Sequence, residues 1–347
     1  MNLNELKLGW NLGNTLDAAG KEDRGLEYET AWQSARTTTE MIKTVKDGGF
    51  DHIRIPVSWH NHVSGPDHII DVAWANRVQE IVDMSLKAGL YVILNTHHDI
   101  NLDYVYPTKA KFEQSAKYLR DVWSQIADRY KDYDDRLMLE GLNEPRLVGH
   151  PDEWNLVVND DCNEAVEMIN RLNQIFVDTV RETGGNNESR YLLVGGYATS
   201  PEGVFSDLFR LPEDTTDESR LMVVIHAYRP YRFALELPGV NTWDESKEQR
   251  DHDLESFMSK AYEKFVKENV PVIVDEFGAL LKDGEDNLKC RVNWAIAYIK
   301  MARKYNLPVT WWDNFNLSGK GEQFTLLDRE NLTWVYPEIV ESMVKNL

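Results

Sequence analysis

Two glutamates stand where short apolar runs end, and as a pair they could carry proton chemistry. Glu144 follows the run LMLEGLN and precedes Pro145, while Glu276 follows the run PVIVD. Proline cannot continue a strand ladder and holds the preceding residue extended, so Glu144 is expected at the open end of a strand. A protonated and an ionised carboxyl on either side of a sugar linkage can hydrolyse it, with retention at a separation of about 5 Å and inversion at roughly 6.5 to 9.5 Å.

Other polar residues near strand ends could support such a pair. Arg54 lies in an otherwise apolar run, where a guanidinium must meet a carboxylate, and Glu276 is the candidate; a structural salt bridge is the alternative. His226 and Tyr228 are two positions apart and share one strand face, with core packing as the alternative. The chain has 11 Trp and 15 Tyr. Trp59 and Trp312 are candidate platforms on which sugar rings stack; the alternative is that both rings only pack within the barrel.

A metal centre and other nucleophiles are weaker hypotheses. His97 and His98 precede Asp99, but adjacent histidines on a strand point to opposite faces, and the chain has no His-Glu-x-x-His helix. There is no Gly-x-Ser-x-Gly elbow, and neither cysteine follows a strand end with a histidine partner. We therefore expect neither a catalytic metal nor serine or thiol catalysis.

The elements that must position these side chains alternate between short apolar runs and amphipathic stretches. The apolar runs predict strands at 6–12, 52–57, 91–95, 137–142, 191–194, 221–225, 272–274 and 309–312. The amphipathic stretches predict helices at 39–46, 74–87, 110–130, 164–182, 252–268, 288–305 and 336–346, with only a weak helix around 201–212. Eight such repeats predict an α/β fold, a (β/α)₈ TIM barrel, as a single catalytic domain over residues 1–347. The alternative is an open doubly wound sheet, but no glycine-rich phosphate loop follows any strand.

Composition narrows the classes of partner. The 347 residues carry a formal charge of -20 without a basic cluster, which disfavours nucleic acid and anionic membranes. Mean hydropathy is -0.50, and no apolar stretch reaches the roughly 20 residues of a membrane span. The start of the chain shows no signal-peptide pattern. Cys162 and Cys290 lie far apart in the chain, so two free thiols are favoured over a disulfide.

Seven motifs together resemble glycoside hydrolase family 5, most closely its bacterial endoglucanases with frequent xyloglucan activity. They are GWNLGNTLDA, RIPVSWHNHV, VILNTHHD, GLNEP, HAYRPY, DEFG and TWWDN, in this order from residue 9 to residue 314. The resemblance implies a TIM barrel, cleavage with retention of configuration, and no metal or other cofactor. It also implies a β-glucan polysaccharide as the substrate, a monomer, and a secreted protein.

The resemblance assigns roles to matching positions. Glu144 resembles the acid/base, Glu276 the nucleophile and Asn143 the amide that holds the substrate 2-hydroxyl. Side chains expected around the scissile bond are Arg54, His97, His226 and Tyr228, with Trp312 as the platform under the sugar. Side chains expected along the cleft are Asn14, Trp59, His98 and Asn314.

This chain departs from the family pattern at two positions. Ala227 stands where many relatives have a second aromatic residue, and Asp275 precedes the nucleophile where a small residue is frequent. Both changes could alter subsite shape or pKa. The expected activity is an endo-β-1,4-glucanase. A xyloglucanase, mixed-linkage glucanase, mannanase or xylanase on the same barrel, a silent sugar-binding barrel and a metal-dependent hydrolase are the alternatives.

Overall fold

Eight parallel strands form a closed barrel in the computed structural model, which describes residues 2–216, 220–243 and 246–347. In chain order the strands are β1 Leu8–Leu12, β2 His52–Ile55, β3 Tyr91–Asn95, β4 Leu137–Glu140, β5 Leu192–Gly195, β6 Leu221–His226, β7 Val272–Phe277 and β8 Val309–Asp313. Each strand pairs with the next, and β8 pairs with β1. The predicted (β/α)₈ barrel is confirmed.

Helices connect the strands on the outside of the barrel. They are α1 Thr39–Asp47, α2 Val72–Lys87, α3 Phe112–Tyr130, α4 Asp160–Glu182, α5 Pro201–Phe205, α6 Tyr231–Ala234, α7 Lys247–Arg250, α8 Ser256–Lys264, α9 Asn287–Lys304 and α10 Pro337–Lys345. Side chains set several of their starts: Thr38 accepts a hydrogen bond from the Met41 amide and Asp71 from the Trp74 amide. The fifth connection contains only the five-residue α5, as the weak pattern at 201–212 indicated.

The prediction of one continuous helix over 252–268 is wrong. This stretch begins in a π-helical turn, Asp251–Glu255, continues as α8, and ends in a 3₁₀ turn, Val266–Glu268. Between α8 and the 3₁₀ turn, Phe265 leaves helical geometry with φ -125 and ψ -60. Its side chain packs into the core at 4% exposure. Burial of this ring therefore outweighs continuation of the helix.

Smaller elements complete the described part of the chain. The 3₁₀ turns besides Val266–Glu268 are Leu3–Glu5, Gly25–Thr30, His60–His62, Gly185–Glu188 and Tyr197–Thr199. Two short antiparallel pairs join Val63–Ser64 to Ile69–Ile70 and Leu327–Asp328 to Thr333–Trp334. Both cysteines are free thiols, as expected. No helix in the described ranges is both long enough and apolar enough to cross a membrane.

Two layers of side chains fill the barrel interior. The lower layer is apolar, and its buried cluster includes Ile93, Met138, Leu193, Val224 and Ile273. Because alternate strand residues face the same side, residues two positions further along point into the same interior, nearer the carboxyl ends of the strands. There the side chains are polar and buried, and we call this set the polar layer: Arg54, Asn95, Glu140, His226 and Asp275. The polar layer forms the floor of the site described next.

Candidate active site

A β-bulge in β7 directs two consecutive acids toward the barrel mouth. Ile225 pairs with Val274, but the next pair along is His226 with Glu276, so Asp275 is an extra residue without a partner on β6. The Asn11 amide donates a 2.8 Å hydrogen bond to the backbone carbonyl of Asp275. A bulge re-aims the side chains that follow it. Glu276 was expected after the end of a strand; it lies within β7.

Glu276 is held by two donors. Arg54 Nη1 donates to Oε1 at 2.7 Å, and the Tyr228 hydroxyl donates to Oε2 at 3.0 Å. The glutamate is 5% exposed. Burial raises the pKa of Glu276, against the opposing charges of His226 and Arg54. The two donors favour the ionised form that a nucleophile needs.

Glu144 lies beyond the end of β4, next to a histidine. His226 Nδ1 is 2.8 Å from Glu144 Oε1, and Arg146 Nη1 is 3.6 Å from Oε2. Burial by itself would raise the pKa of Glu144, but the hydrogen bond and charge of His226 outweigh it, so the pKa is lowered in the free enzyme. The Glu144 side chain is 18% exposed, more than that of Glu276.

The two acids meet across the mouth of the barrel. One ligating atom each from Glu144, His226 and Glu276 lies within 4.8 Å of the other two. Carboxyls this close titrate as a pair, so the proton is shared between them. Burial favours that proton on Glu276 in the free enzyme, whereas bond cleavage requires it on Glu144. A sugar bound between the acids separates them. Arg54 and Tyr228, which donate to Glu276, then stabilise Glu276 in its ionised form.

Arg54 links Glu276 to the other side chains of the polar layer. Its Nε and Nη2 donate to both oxygens of Glu140 at 2.6 and 2.8 Å, and Nη2 also donates to Asn143 Oδ1 at 2.7 Å. Arg54 and Glu140 are fully buried. Burial raises the pKa of Glu140 to about 7, against the charge of Arg54. Sequence reasoning missed Glu140, although an acid inside the apolar run LMLEG was a signal of the same kind as Arg54.

We predict that Glu140→Ala lowers the free energy of unfolding. The guanidinium of Arg54 would lose both hydrogen bonds of its bidentate pair without reaching water, a loss of about 3 kcal/mol. The control is Glu27→Gln, which removes an exposed partner of Arg36 and should leave the urea midpoint unchanged. Equal midpoints for Glu140→Ala and the unmodified protein would contradict this account of Arg54.

An aromatic wall stands beside the acids. The rings of His97 and Trp312 are parallel, with their centroids 5.8 Å apart and an interplanar angle of 2°. Trp312 is 9% exposed. A Cβ at Gly13 would lie 2.8 Å from the Trp312 ring, so glycine permits this close approach. Burial, followed by the charges of His98 and Arg54, lowers the pKa of His97, which favours a neutral imidazole.

Other predicted cleft residues lie outside this network. The Trp59 ring is 2% exposed, and its Nε1 donates to the backbone carbonyl of Asn95 at 2.9 Å. Both ends of the Asn314 amide bond the backbone of the loop that follows β8. These two side chains are 2% and 4% exposed and therefore do not offer an open face to a sugar.

The remaining two cleft predictions lie in loops at the barrel mouth. Asn14 occupies the turn after β1 with φ 55, and its backbone N–H donates a hydrogen bond to the Asp17 carboxylate. The ring of His98 is 5.5 Å from that of Trp32, which is 45% exposed. The structure thus joins Glu144, Glu276, Arg54, Asn143, His226 and Tyr228 in one network. The other predicted residues surround this network.

Three sets of histidines and acids in the described ranges have ligand atoms within 4.8 Å of one another. Two of these sets contain His226, and their acids include Glu140, Asp275 and Glu276, each in contact with Arg54. The positive charge of that guanidinium opposes a second cation at the same oxygens. The third set is Asp17, His97 and His98. The expectation that no metal takes part stays a prediction.

Comparison with known proteins identifies the family. Residues 16–318 match the family model described as cellulase (glycosyl hydrolase family 5). The chain is 41% identical over 340 residues to endoglucanase B of Ruminococcus albus, covering 97% of this chain and 78% of that protein. Among solved structures, a family 5 lichenase from Caldicellulosiruptor sp. F32, in complex with cellotetraose, is 49% identical to this chain with a TM-score of 0.96. The match covers 99% of this chain and 94% of the lichenase.

A broad-specificity endoglucanase from Ruminococcus champanellensis, with bound cellotriose, is 43% identical with a TM-score of 0.91. This match covers 99% of this chain and 96% of the endoglucanase.

The sequence motifs, the barrel and these similarities agree. The two acids lie at the mouth of the barrel, at the carboxyl ends of β4 and β7, where active sites of this fold are built. The chain belongs to glycosyl hydrolase family 5, the cellulase family.

Proposed function

We propose that the protein is an endo-β-1,4-glucanase that hydrolyses internal bonds of a glucan chain with retention of configuration. The observation that carries this proposal is the approach of Glu144 and Glu276, whose ligating oxygens lie within 4.8 Å of each other. An approach this close favours the retaining arrangement, in which the carboxyls are about 5 to 5.5 Å apart, over the roughly 6.5 to 9.5 Å of inverting enzymes.

In the first step Glu276 attacks the anomeric carbon, and the bond to the leaving oxygen breaks. Arg54 and Tyr228 donate to Glu276 and hold its charge until the attack. Glu144 gives its proton to the leaving oxygen, and the adjacent His226 stabilises the carboxylate that results. A covalent glycosyl ester on Glu276 remains.

In the second step Glu144 acts as the base. It removes a proton from a water molecule, whose oxygen attacks the same anomeric carbon and releases Glu276. Two inversions at one carbon give net retention. We expect Asn143, whose Oδ1 accepts a 2.7 Å hydrogen bond from Arg54, to contact the 2-hydroxyl of the sugar, where a hydrogen bond strengthens in the transition state.

The release of reducing ends from a panel of polysaccharides tests this function. Carboxymethylcellulose should be cleaved with a rapid fall in viscosity, which marks attack inside the chain, and the newly formed reducing end should be β by proton NMR. Lichenan, xyloglucan, mannan and xylan in the same assay define the preference. No cleavage of any β-1,4-glucan by the folded protein would overturn the proposal and favour a silent sugar-binding barrel.

A mixed-linkage glucanase is the second candidate, because the similar structure at 49% identity is a lichenase. Faster cleavage of lichenan than of carboxymethylcellulose would favour it. A metal-dependent hydrolase predicts loss of activity in the presence of a chelator, whereas two carboxyls acting as described predict none.

Trp154 is a candidate platform for the leaving-group side of the substrate. Its ring is 55% exposed, and Arg146, which is 3.6 Å from Glu144, lies 3.8 Å over the ring centroid. Because Glu144 protonates the leaving oxygen, the nearby Trp154 ring lies on the side of the cleft that binds the leaving part of the glucan. Sequence reasoning missed both residues.

We predict that Trp154→Ala raises KM for a soluble glucan about fivefold to tenfold, since a stacked aromatic contact contributes about 1 kcal/mol. An aryl cellobioside, which places no sugar on the leaving side, serves as the control and should be cleaved with nearly unchanged KM. An equal rise for both substrates would show a general disturbance of the site.

We infer the location of the protein from its substrate: a glucan polymer cannot cross a cell membrane, so the protein acts outside the cell. That it acts as a monomer stays a prediction. The charge of -20 supports a neutral partner over nucleic acid. Detection of the activity in culture medium, with sedimentation at the 40.2 kDa of one chain, tests both inferences.

A further inference from the structure

Asp275 is a buried acid that the reaction described above does not use. Its side chain is inaccessible to solvent, and within the described part of the chain neither carboxylate oxygen makes a hydrogen bond. It makes two ion contacts instead, at 3.1 Å from Arg54 Nε to Oδ2 and at 3.3 Å from His226 Nε2 to Oδ1. A buried carboxylate with so few partners is costly. The bulge in β7 leaves its backbone unpaired with β6 and thereby places it at His226.

His226 lies between this acid and the two reacting acids. Its Nε2 faces Asp275, while its Nδ1 is 2.8 Å from Glu144 and 3.5 Å from Glu276. Nε2 makes no well-aligned hydrogen bond within the described residues, so the contact with Asp275 is electrostatic. A negative charge at Nε2 favours a proton on each ring nitrogen and fixes the ring with Nδ1–H toward Glu144.

We propose that Asp275 is a positioning residue of the glycosidase reaction, which acts through His226 to control the proton on Glu144. The inference rests on the function proposed above. In the first step a charged His226 stabilises the Glu144 carboxylate as its proton leaves. In the second step the same contact keeps Glu144 ionised until it takes a proton from water.

The charges around His226 determine in which direction the pKa values of His226 and Glu144 change when the charge of Asp275 is removed. His226 contacts Glu144, Asp275 and Glu276, and it interacts electrostatically with Glu140 and His97. The charged and polar groups next to those acids are Arg54 and Tyr228 at Glu276 and Arg146 at Glu144. Burial would lower the pKa of His226, but the charges of Glu276 and Asp275 and the contact with Glu144 outweigh burial, and its pKa lies well above the usual value. Removing the charge of Asp275 therefore lowers the pKa of His226. The loss of positive charge 2.8 Å from Glu144 in turn raises the pKa of Glu144.

The first experiment is titration of the imidazoles by heteronuclear NMR. In the unmodified protein His226 should stay protonated through neutral pH. In Asp275→Asn its titration should move down by about one pH unit or more, the effect expected of a charge at this distance. The matched control is Asp214→Asn, which removes a buried acid paired with Arg181 far from the site and should leave His226 unchanged.

The second experiment is the pH dependence of kcat. The alkaline limb, which reports loss of the Glu144 proton, should move to higher pH in Asp275→Asn by about one unit. At the optimum kcat should fall about tenfold with little change in KM, because acid/base assistance as a whole contributes 10² to 10⁴. In the double variant with His226→Gln, Asp275→Asn should add no further shift.

Three results would overturn the proposal. One is a neutral His226 at pH 7 in the unmodified protein, which requires no variant. The others are an unchanged His226 titration in folded Asp275→Asn and an additive shift in the double variant. If Asp275→Asn does not fold, Asp275→Ala replaces it, because alanine removes the same charge without burying an unpaired amide. The titration of His226 does not depend on activity, so failure of the proposed function would be recognised separately.

Discussion

Glu276→Ala is expected to lower turnover of a soluble glucan by roughly 10⁴-fold to 10⁶-fold, as loss of a catalytic nucleophile does elsewhere. Without this carboxylate no covalent intermediate can form, and the remaining acid can only protonate a leaving group that nothing attacks. The fold should persist, because Arg54 keeps the bidentate contact with Glu140 and its contact with Asp275. The measurement is the rate of reducing-end release from the soluble glucan, with circular dichroism as the check on folding.

Azide provides the decisive control for Glu276→Ala. The small cavity left by the carboxylate faces the anomeric carbon, so azide can enter it and attack, giving a glycosyl azide of inverted configuration. The unmodified enzyme should form no such product. Rescue without inversion, or no rescue by azide or formate, would contradict the assignment of Glu276 as the nucleophile.

Glu144→Ala is expected to affect substrates unequally. Cleavage of a natural glucan, whose leaving oxygen needs a proton, should slow by 10² to 10⁴, the usual contribution of a general acid. A dinitrophenyl cellobioside needs no proton, so its first step should stay fast. The second step lacks its base, and the glycosyl enzyme should therefore accumulate and give a burst of dinitrophenol.

Azide is also the control for Glu144→Ala, because its product distinguishes the role of Glu144 from that of Glu276. Azide should speed the second step and yield a glycosyl azide of retained configuration, opposite to the product from Glu276→Ala. Equal losses on natural and activated substrates would contradict the acid role. Identical azide products from both variants would contradict the division of roles as a whole.

Much of the fold could be predicted because each strand ends in a change of residue type. Apolar runs stop at polar residues such as Asn143 and Glu144, and all eight predicted strands lie in the barrel. The pairing of Arg54 with Glu276 was also predictable, since a buried guanidinium requires a carboxylate.

The remainder was either overlooked in the sequence or depends on geometry that a single sequence does not carry. Reasoning from strand ends overlooks Glu140, which lies within β4 and holds Arg54 at both oxygens. The bulge at Asp275 is one inserted residue, and no turn residue marks it. Trp59 and Asn314 follow strands as cleft residues do, but backbone carbonyls accept their polar hydrogens: that of Asn95 at the end of β3 for Trp59, and that of Glu322 in the loop after β8 for Asn314.

The polar layer has a consequence for the tolerance of this protein to its medium. Arg54, Glu140 and Asp275 are sealed below the barrel mouth with 0% exposure, where dissolved ions do not enter to screen them. The outer surface, by contrast, carries most of the excess negative charge and interacts with ions over a Debye length of about 8 Å at physiological ionic strength. A high salt concentration should therefore change the solubility of the protein and its rate of association with other molecules. The kcat at saturating glucan should not change. The exterior can accordingly be recharged for new environments without retuning the reaction centre.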